Sequence, residues 1–251
     1  MKITKETFLV QNSWEEAVKN SVGYQNPILV KNLTRNLIQN PPWKNIDAQL
    51  LNSRIMELMA AVLFVMRGEV FNSLCVADIG GGNGYMGIYI QKLMPDVKFN
   101  WIVYESPEIS KHYSNATKEQ NFIKYKSIND LFIKSNDSNE KFNIILLSCS
   151  LQYLEKPYQF LEKLQNFKVP KIIMRIPFVD QEKGVITIQN FSEVGGYSDI
   201  VDISWPAWFF SKENFMKQLK INHSIKLNWL TDSESVVFNG KEIIFEGIVC
   251  H

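Results

Sequence analysis

The sequence predicts an α/β protein: a mostly parallel seven-stranded sheet that ends in an antiparallel hairpin, with a helical N-terminal extension. Three observations carry this. From about residue 73, short apolar runs alternate with helical patterns, as in parallel βαβ units joined by right-handed crossovers. Residues 1–70 show helical spacing instead. The last two strand patterns have no helix between them.

In the extension, Ser13 followed by Glu16 forms a capping box, in which each side chain satisfies the other residue's backbone N–H. Ala48 to Met66 carries apolar residues at helical spacing and stops at Gly68; Pro41-Pro42 breaks the path before it. The main domain, 71–251, opens with LCVADI (Leu74–Ile79), an apolar run like a strand buried on both faces. GYMGIYIQKLM is a helix and FNWIVYE (Phe99–Glu105) a second strand. PEISKHYSNATKEQ is a helix with Pro107 in its first turn. NFIKYK and FNIILLSCS (Phe142–Ser150) are the third and fourth strands, PYQFLEKLQNF is a helix, and KIIMRI (Lys171–Ile176) is the fifth strand. Residues 178–210 make a connection longer than usual. SKENFMKQL is a helix with Ser211 as N-cap. The strands SIKLNWL and KEIIFEGIVC close the chain, separated by turn-rich TDSESVVFNG.

The composition narrows the function. Of 251 residues, 45% are hydrophobic and 21% charged, and 27 Lys plus Arg balance 26 Asp plus Glu. That balance leaves no electrostatic footprint for nucleic acid or an anionic membrane. Three scattered cysteines, Cys75, Cys149 and Cys250, argue against a disulfide framework, a zinc site or an iron–sulfur cluster and suit a reducing cytosol. The start of the chain has no apolar signal core and no run of 18 uncharged apolar residues occurs, so a cytoplasmic protein without membrane insertion is expected. His112, His223 and His251 have no spacing that supports a metal site. No segment announces self-association, and the oligomeric state stays open.

The chemistry concentrates in CVADIGGGNGYMG, Cys75 to Gly87. Glycines directly after a strand let the backbone turn sharply and approach a ligand, toward which the next helix points its N–H groups. Gly82 to Gly87 matches G-x-G-x-x-G, the dinucleotide pattern. Three features weigh against that reading. Asp78 places a carboxylate beside the loop, which suits an ammonium group and not a pyrophosphate. The loop starts at Gly80, which shifts the match into the helix. Some seventy residues also precede the first strand.

Read from Asp78, the motif is D-x-G-x-G-x-G, through Gly80, Gly82 and Gly84. This resembles motif I of the class I S-adenosylmethionine-dependent methyltransferases, whose Rossmann-like sheet also ends with an antiparallel strand. The resemblance implies S-adenosyl-L-methionine as cofactor. It implies Glu105, at the end of the second strand, as holder of the ribose hydroxyls. It also implies a cofactor shell of Asp78, Gly80, Gly81, Gly82, Asn83, Gly84, Tyr85, Glu105, Ser148 and Cys149. Ser13–Ala17, Gly23-Tyr24, DIGGGNG, WIVYESP, Leu151–Pro157 and Pro206–Ser211, taken in order, are similar to a methyltransferase family associated with bacterial surface-polysaccharide and O-antigen gene clusters. That likeness spans nearly the whole chain and implies a sugar-linked small-molecule acceptor.

LLSCSLQYLEKP resembles the loop that lines the acceptor in small-molecule methyltransferases, with Gln152 and Tyr153 where a His often stands. Tyr153 and Arg175 are the catalytic candidates: Tyr153 as a base for a hydroxyl acceptor, Arg175 as partner of an anionic substrate group or of a structural carboxylate. Asn83 reads equally as a cofactor contact or a turn residue, and Cys149 as a small packed residue rather than a nucleophile. Gln152, Trp205, Trp208 and Tyr24 are substrate-binding candidates, the two tryptophans reading equally as core. Insertion 178–210 is a candidate lid or acceptor wall, in which Phe209 and Phe210 read as core. Two alternatives remain: a nicotinamide-dependent sugar dehydrogenase or epimerase, and a catalytically silent methyltransferase-like binding module.

Overall fold

The computed structural model describes residues 6–23, 26–39, 53–67, 72–116, 123–132, 141–191 and 203–251. In chain order the elements begin with β1 (Glu6–Gln11), α1 (Trp14–Lys19), α2 (Pro27–Gln39) and α3 (Ser53–Met66). The alternating region follows: β2 (Ser73–Ile79), α4 (Tyr85–Leu93), β3 (Lys98–Glu105), α5 (Pro107–Ala116), β4 (Ile123–Ser127), β5 (Ile144–Ser148), α6 (Pro157–Leu164) and β6 (Lys171–Val179). The chain finishes with β7 (Val185–Phe191), β8 (Ile203–Ser211), α7 (Lys212–Asn222), β9 (Ile225–Phe238) and β10 (Lys241–Cys250).

Strands β4-β3-β2-β5-β6 lie side by side and parallel. Strand β10 runs antiparallel along β6, and β9 antiparallel along β10. The central strands are apolar on both faces because both are covered. Val76, Trp101, Val103, Leu146 and Met174 meet α2, α3, α4 and α5, whereas Ala77, Ile102, Ile145 and Ile173 meet α6 and α7. The period-two alternation of a strand sorts neighbouring residues onto opposite faces. Among the described residues no helix is long and apolar enough to cross a membrane.

Among the described residues the sheet has ten strands, three more than the seven expected. The added three form an antiparallel ribbon, β1-β7-β8, tied to the main sheet where Phe178 and Val179 pair with Phe210 and Ser211. The ribbon encloses a small core of its own around Phe8, Val179, Phe209 and Phe238. Strand β1 corrects the reading of residues 1–70 as helical. Its partners lie some 175 to 185 residues away, so no local signal announces it. The insertion is correspondingly strand-built on either side of 192–202, which lie outside the described residues together with Tyr24, Pro41, Pro42 and Gly68.

Three details differ from expectation. Ser13 caps α1 through the Glu16 N–H, but Glu16 returns its carboxylate to the Asn12 N–H, one residue early. Strand β9 continues through Thr231–Phe238, and only Asn239-Gly240, both at positive φ, turn the chain into β10; Asn-Gly is the pair that a two-residue hairpin favours. Strand β6 continues beyond Arg175 to Val179, so Arg175 lies within it. The register against β10 slips there between Glu246 and Ile248, and Arg175 adopts φ 60°.

Candidate functional site

The chain leaves β2 at Ile79, turns through Gly80–Gly84 and enters α4 at Tyr85. Gly80, Gly82 and Gly84 have φ of 69°, 56° and 71°, a region that side chains with a Cβ rarely occupy. The loop is held from three sides. The Gly80 N–H donates to Tyr104 O (2.8 Å), and the Gly84 N–H to Gly81 O (3.0 Å). Asn83 Oδ1 accepts the Tyr85 N–H (3.2 Å), a turn-forming bond at the start of the helix. The Tyr125 hydroxyl donates to Asn83 O (2.8 Å).

The two acids differ in setting. Asp78 is fully buried, and its Oδ2 accepts the Trp101 indole N–H at 2.8 Å. Burial pushes its carboxyl up to about 7; the indole N–H lowers it and the Glu105 charge raises it. Glu105 sits at the end of β3, half-buried, and both its oxygens face backbone: Oε1 accepts the Gly82 N–H (3.0 Å) and Oε2 the Ser106 N–H (3.2 Å). Burial raises its pKa, and those two N–H groups oppose the rise.

The other wall of the crevice is the end of β5. Strand β2 has β3 on one side and β5 on the other, so the strand order reverses here, the usual ligand position in open α/β sheets. Cys149 follows β5 at φ 54°, with its N–H donating to Met174 O (3.0 Å). The Gln152 amide N–H donates to Cys149 Sγ (3.2 Å), and the Tyr153 hydroxyl is 4.0 Å from the same sulfur. That hydroxyl donates to Gln189 Oε1 (2.9 Å), which also accepts the Trp205 indole N–H (3.3 Å). Trp205 meets the Tyr153 ring edge-on at 6.1 Å. Trp208 stacks with Trp14 and with Phe210, and its N–H donates to Leu154 O.

Polar atoms inside proteins are nearly always hydrogen-bonded. Three side-chain atoms around this crevice have no partner among the described residues: Asp78 Oδ1, Ser148 Oγ and Ser150 Oγ. Ser150 lies so close to Gly80 that a Cβ there would meet its Cβ at 2.7 Å. A glycine cradle with orphaned acceptors and hydroxyls beside it suits a polar ligand with a cationic end.

The structure therefore brings together Asp78, Gly80 to Tyr85, Glu105 and Ser148 to Tyr153, with the ribbon contributing Trp205. Arg175 stands slightly apart on β6, its guanidinium over the Phe245 ring at 5.2 Å. Trp208 and the buried Phe209 and Phe210 serve as packing. Sequence reasoning missed Trp101, Tyr125 and Gln189. Each sits inside a strand, and only its cross-strand partner reveals a polar role. Among the described residues no group of three or more His, Cys, Asp and Glu could hold a metal ion.

No protein-family model and no curated protein matches this chain. Solved structures do. A S-adenosylmethionine-dependent methyltransferase from Clostridium acetobutylicum ATCC 824 matches over 88% of this chain and 98% of its own, at 16% identity and a TM-score of 0.51. A 1,6-didemethyltoxoflavin-N1-methyltransferase from Burkholderia thailandensis matches over 98% and 95%, at 12% identity and 0.49. The N-methyltransferase NodS from Bradyrhizobium japonicum WM9 matches over 88% and 97%, at 14% and 0.47. The first of these likenesses, one of fold, shows that the chain has the Rossmann-like α/β fold of a S-adenosylmethionine-dependent methyltransferase.

Proposed function

We propose that the chain is a S-adenosylmethionine-dependent methyltransferase acting on a small-molecule acceptor, a sugar or sugar-linked metabolite. The observation that carries this is the glycine cradle at the strand-order reversal, with three orphaned polar atoms beside it and Glu105 facing it from β3. The dinucleotide alternative meets a fully buried carboxylate, Asp78, directly beneath the loop, which suits a pyrophosphate poorly.

When bound, S-adenosylmethionine supplies a methyl group activated by a positively charged sulfur. The protein's part is to bind, align and exclude water. Glu105, already oriented by two backbone N–H groups, accepts from the ribose hydroxyls; Asp78 favours the ammonium end; Ser148 and Ser150 offer hydroxyls. On the acceptor side, the amides of Gln152 and Gln189, the Tyr153 phenol and the faces of Trp205 suit a hydroxyl-rich ring. The Tyr153 hydroxyl proton is directed at an amide oxygen. An amide cannot take that proton away, so Tyr153 positions the acceptor rather than deprotonating it.

Isothermal titration with S-adenosylhomocysteine, with NAD as control, tests the reading. Micromolar binding of the first and none of the second is expected. The reverse result overturns it. Turnover is then sought with S-adenosylmethionine among nucleotide sugars.

A further inference from the structure

Asp78 and Trp101 stand on neighbouring parallel strands, with Val76 opposite Trp101, so the indole reaches one pleat along β2 to the carboxylate. Two features isolate that carboxylate. The loop backbone lies directly over it: a Cβ on Gly81 would come within 2.2 Å of Oδ2 and 2.8 Å of Oδ1. Its second oxygen, Oδ1, has no partner among the described residues and the residue has no exposure. The indole is confined as well. It is fully buried, fills the space left by Gly87 and leans on Phe99 at 6.2 Å. Its N–H direction is therefore fixed by packing.

Resting on the reading of this crevice as a S-adenosylmethionine site, we propose that Trp101 is a positioning residue: its N–H fixes the Asp78 carboxylate so that Oδ1 stands as an unmatched acceptor beneath Gly81, and the ammonium end of the bound amino-acid moiety is recognised through that charge.

A buried carboxylate with one neutral donor resists ionisation, in line with its carboxyl being pushed up to about 7. The other titratable groups acting on it are Glu105 at the end of β3 and the Tyr125 phenol of β4. A cation arriving at the loop favours the ionised form and expels the proton. Affinity is then full above about pH 7 and falls as the pH drops below it. Removing the indole N–H removes the influence that lowers the Asp78 pKa, so the fall starts at a higher pH.

The test is calorimetric titration of the purified full chain with S-adenosylhomocysteine from pH 6 to 8.5, in two buffers of different ionisation enthalpy so that released protons are counted. The wild type is expected to release part of a proton at pH 7 and to weaken toward tenfold per pH unit below it. Asp78→Asn is expected to release none and to bind with a flat profile below about pH 7.5; slope left there belongs to Glu105, and slope above it to the ligand's own α-amino group. Trp101→Phe keeps a ring against Gly87, and is expected to bind about tenfold more weakly at pH 7 with its profile displaced upward. Trp101→Phe matching the wild type in affinity and proton count overturns the proposal while leaving the cofactor reading intact. Wild-type protein that does not bind S-adenosylhomocysteine overturns both. Should Trp101→Phe lose its native circular dichroism, Asp78→Asn decides: the wild-type proton count in that variant overturns the proposal.

Discussion

The glycine-loop region and the β1-β7-β8 ribbon, which adjoins the crevice through Trp205, are specified in opposite ways. From Ser73 to Glu105 the structure follows from local demands: a buried parallel strand, a turn that only glycines take easily, a helix, a second strand ending in an acid. The ribbon depends on pairing residues 6–11 with 186–191 and 185–191 with 203–209. The first region leaves Asp78 Oδ1 orphaned, beside the equally orphaned Ser148 and Ser150 hydroxyls at the end of β5. The second closes its polar groups on one another, as when Gln189 takes both the Tyr153 and Trp205 hydrogens. Unsatisfied groups belong where a ligand's charge is received, satisfied ones where a wall must hold its shape.

The largest expected effect would separate the two regions. Phe209 is almost fully buried and stacks on Phe238 at 4.4 Å, with Phe8 edge-on at 4.8 Å. Phe209→Ala should cost about 4 kcal/mol, measured by chemical denaturation, and leave S-adenosylhomocysteine affinity within about twofold. A large loss of affinity would mean that the two regions are not energetically distinct. Next, Asp78→Asn should stabilise the fold at pH 8 and not at pH 4. The carboxyl is neutral in the folded protein up to about pH 7 but ionises near 3.8 when unfolded, so its burial cost appears only as the pH rises between those values. That shift corresponds to about 4 kcal/mol, of which about 1 is returned because the amide N–H group is buried without an acceptor. A net gain of about 3 kcal/mol at pH 8 would show a binding group kept at the expense of stability; unchanged melting temperatures at both pH values would refute this. Smaller is Gly87→Ala, where a methyl cannot fit against Trp101. It should cost about 2 kcal/mol by overpacking and shift the indole resonance of Trp101 in a ligand-free NMR spectrum. An undisturbed resonance would mean that the helix moves aside and that the glycine is not the ring's seat.

Legibility followed the same division. The order of strands β2 to β6, the N-cap Ser211 and the closing antiparallel pair could be read because each leaves a local mark: an apolar run, a capping side chain, a missing helix. The loop could be read because αL backbone selects glycine. Trp101 could not, since an indole in a buried strand looks like any other apolar residue until its N–H has an address. Gly87 completes a dinucleotide pattern that the sequence reading set aside, and only the structure shows that it seats the Trp101 ring. Strand β1 was misread because six residues without turn signals carry too little periodicity to separate strand from helix.

The pairing of β1 also has a consequence in time. Ribosomes add about 5 to 20 residues per second. The partner of Glu6–Gln11 is therefore made roughly 10 to 40 s after β1 itself, once β7 is synthesised. From the synthesis of Glu105 onward the β2–α4–β3 unit has its local partners, whereas Phe8 still lacks Phe209 and Phe238. The nascent chain thus acquires the glycine loop, with Asp78 and Glu105, before the ribbon.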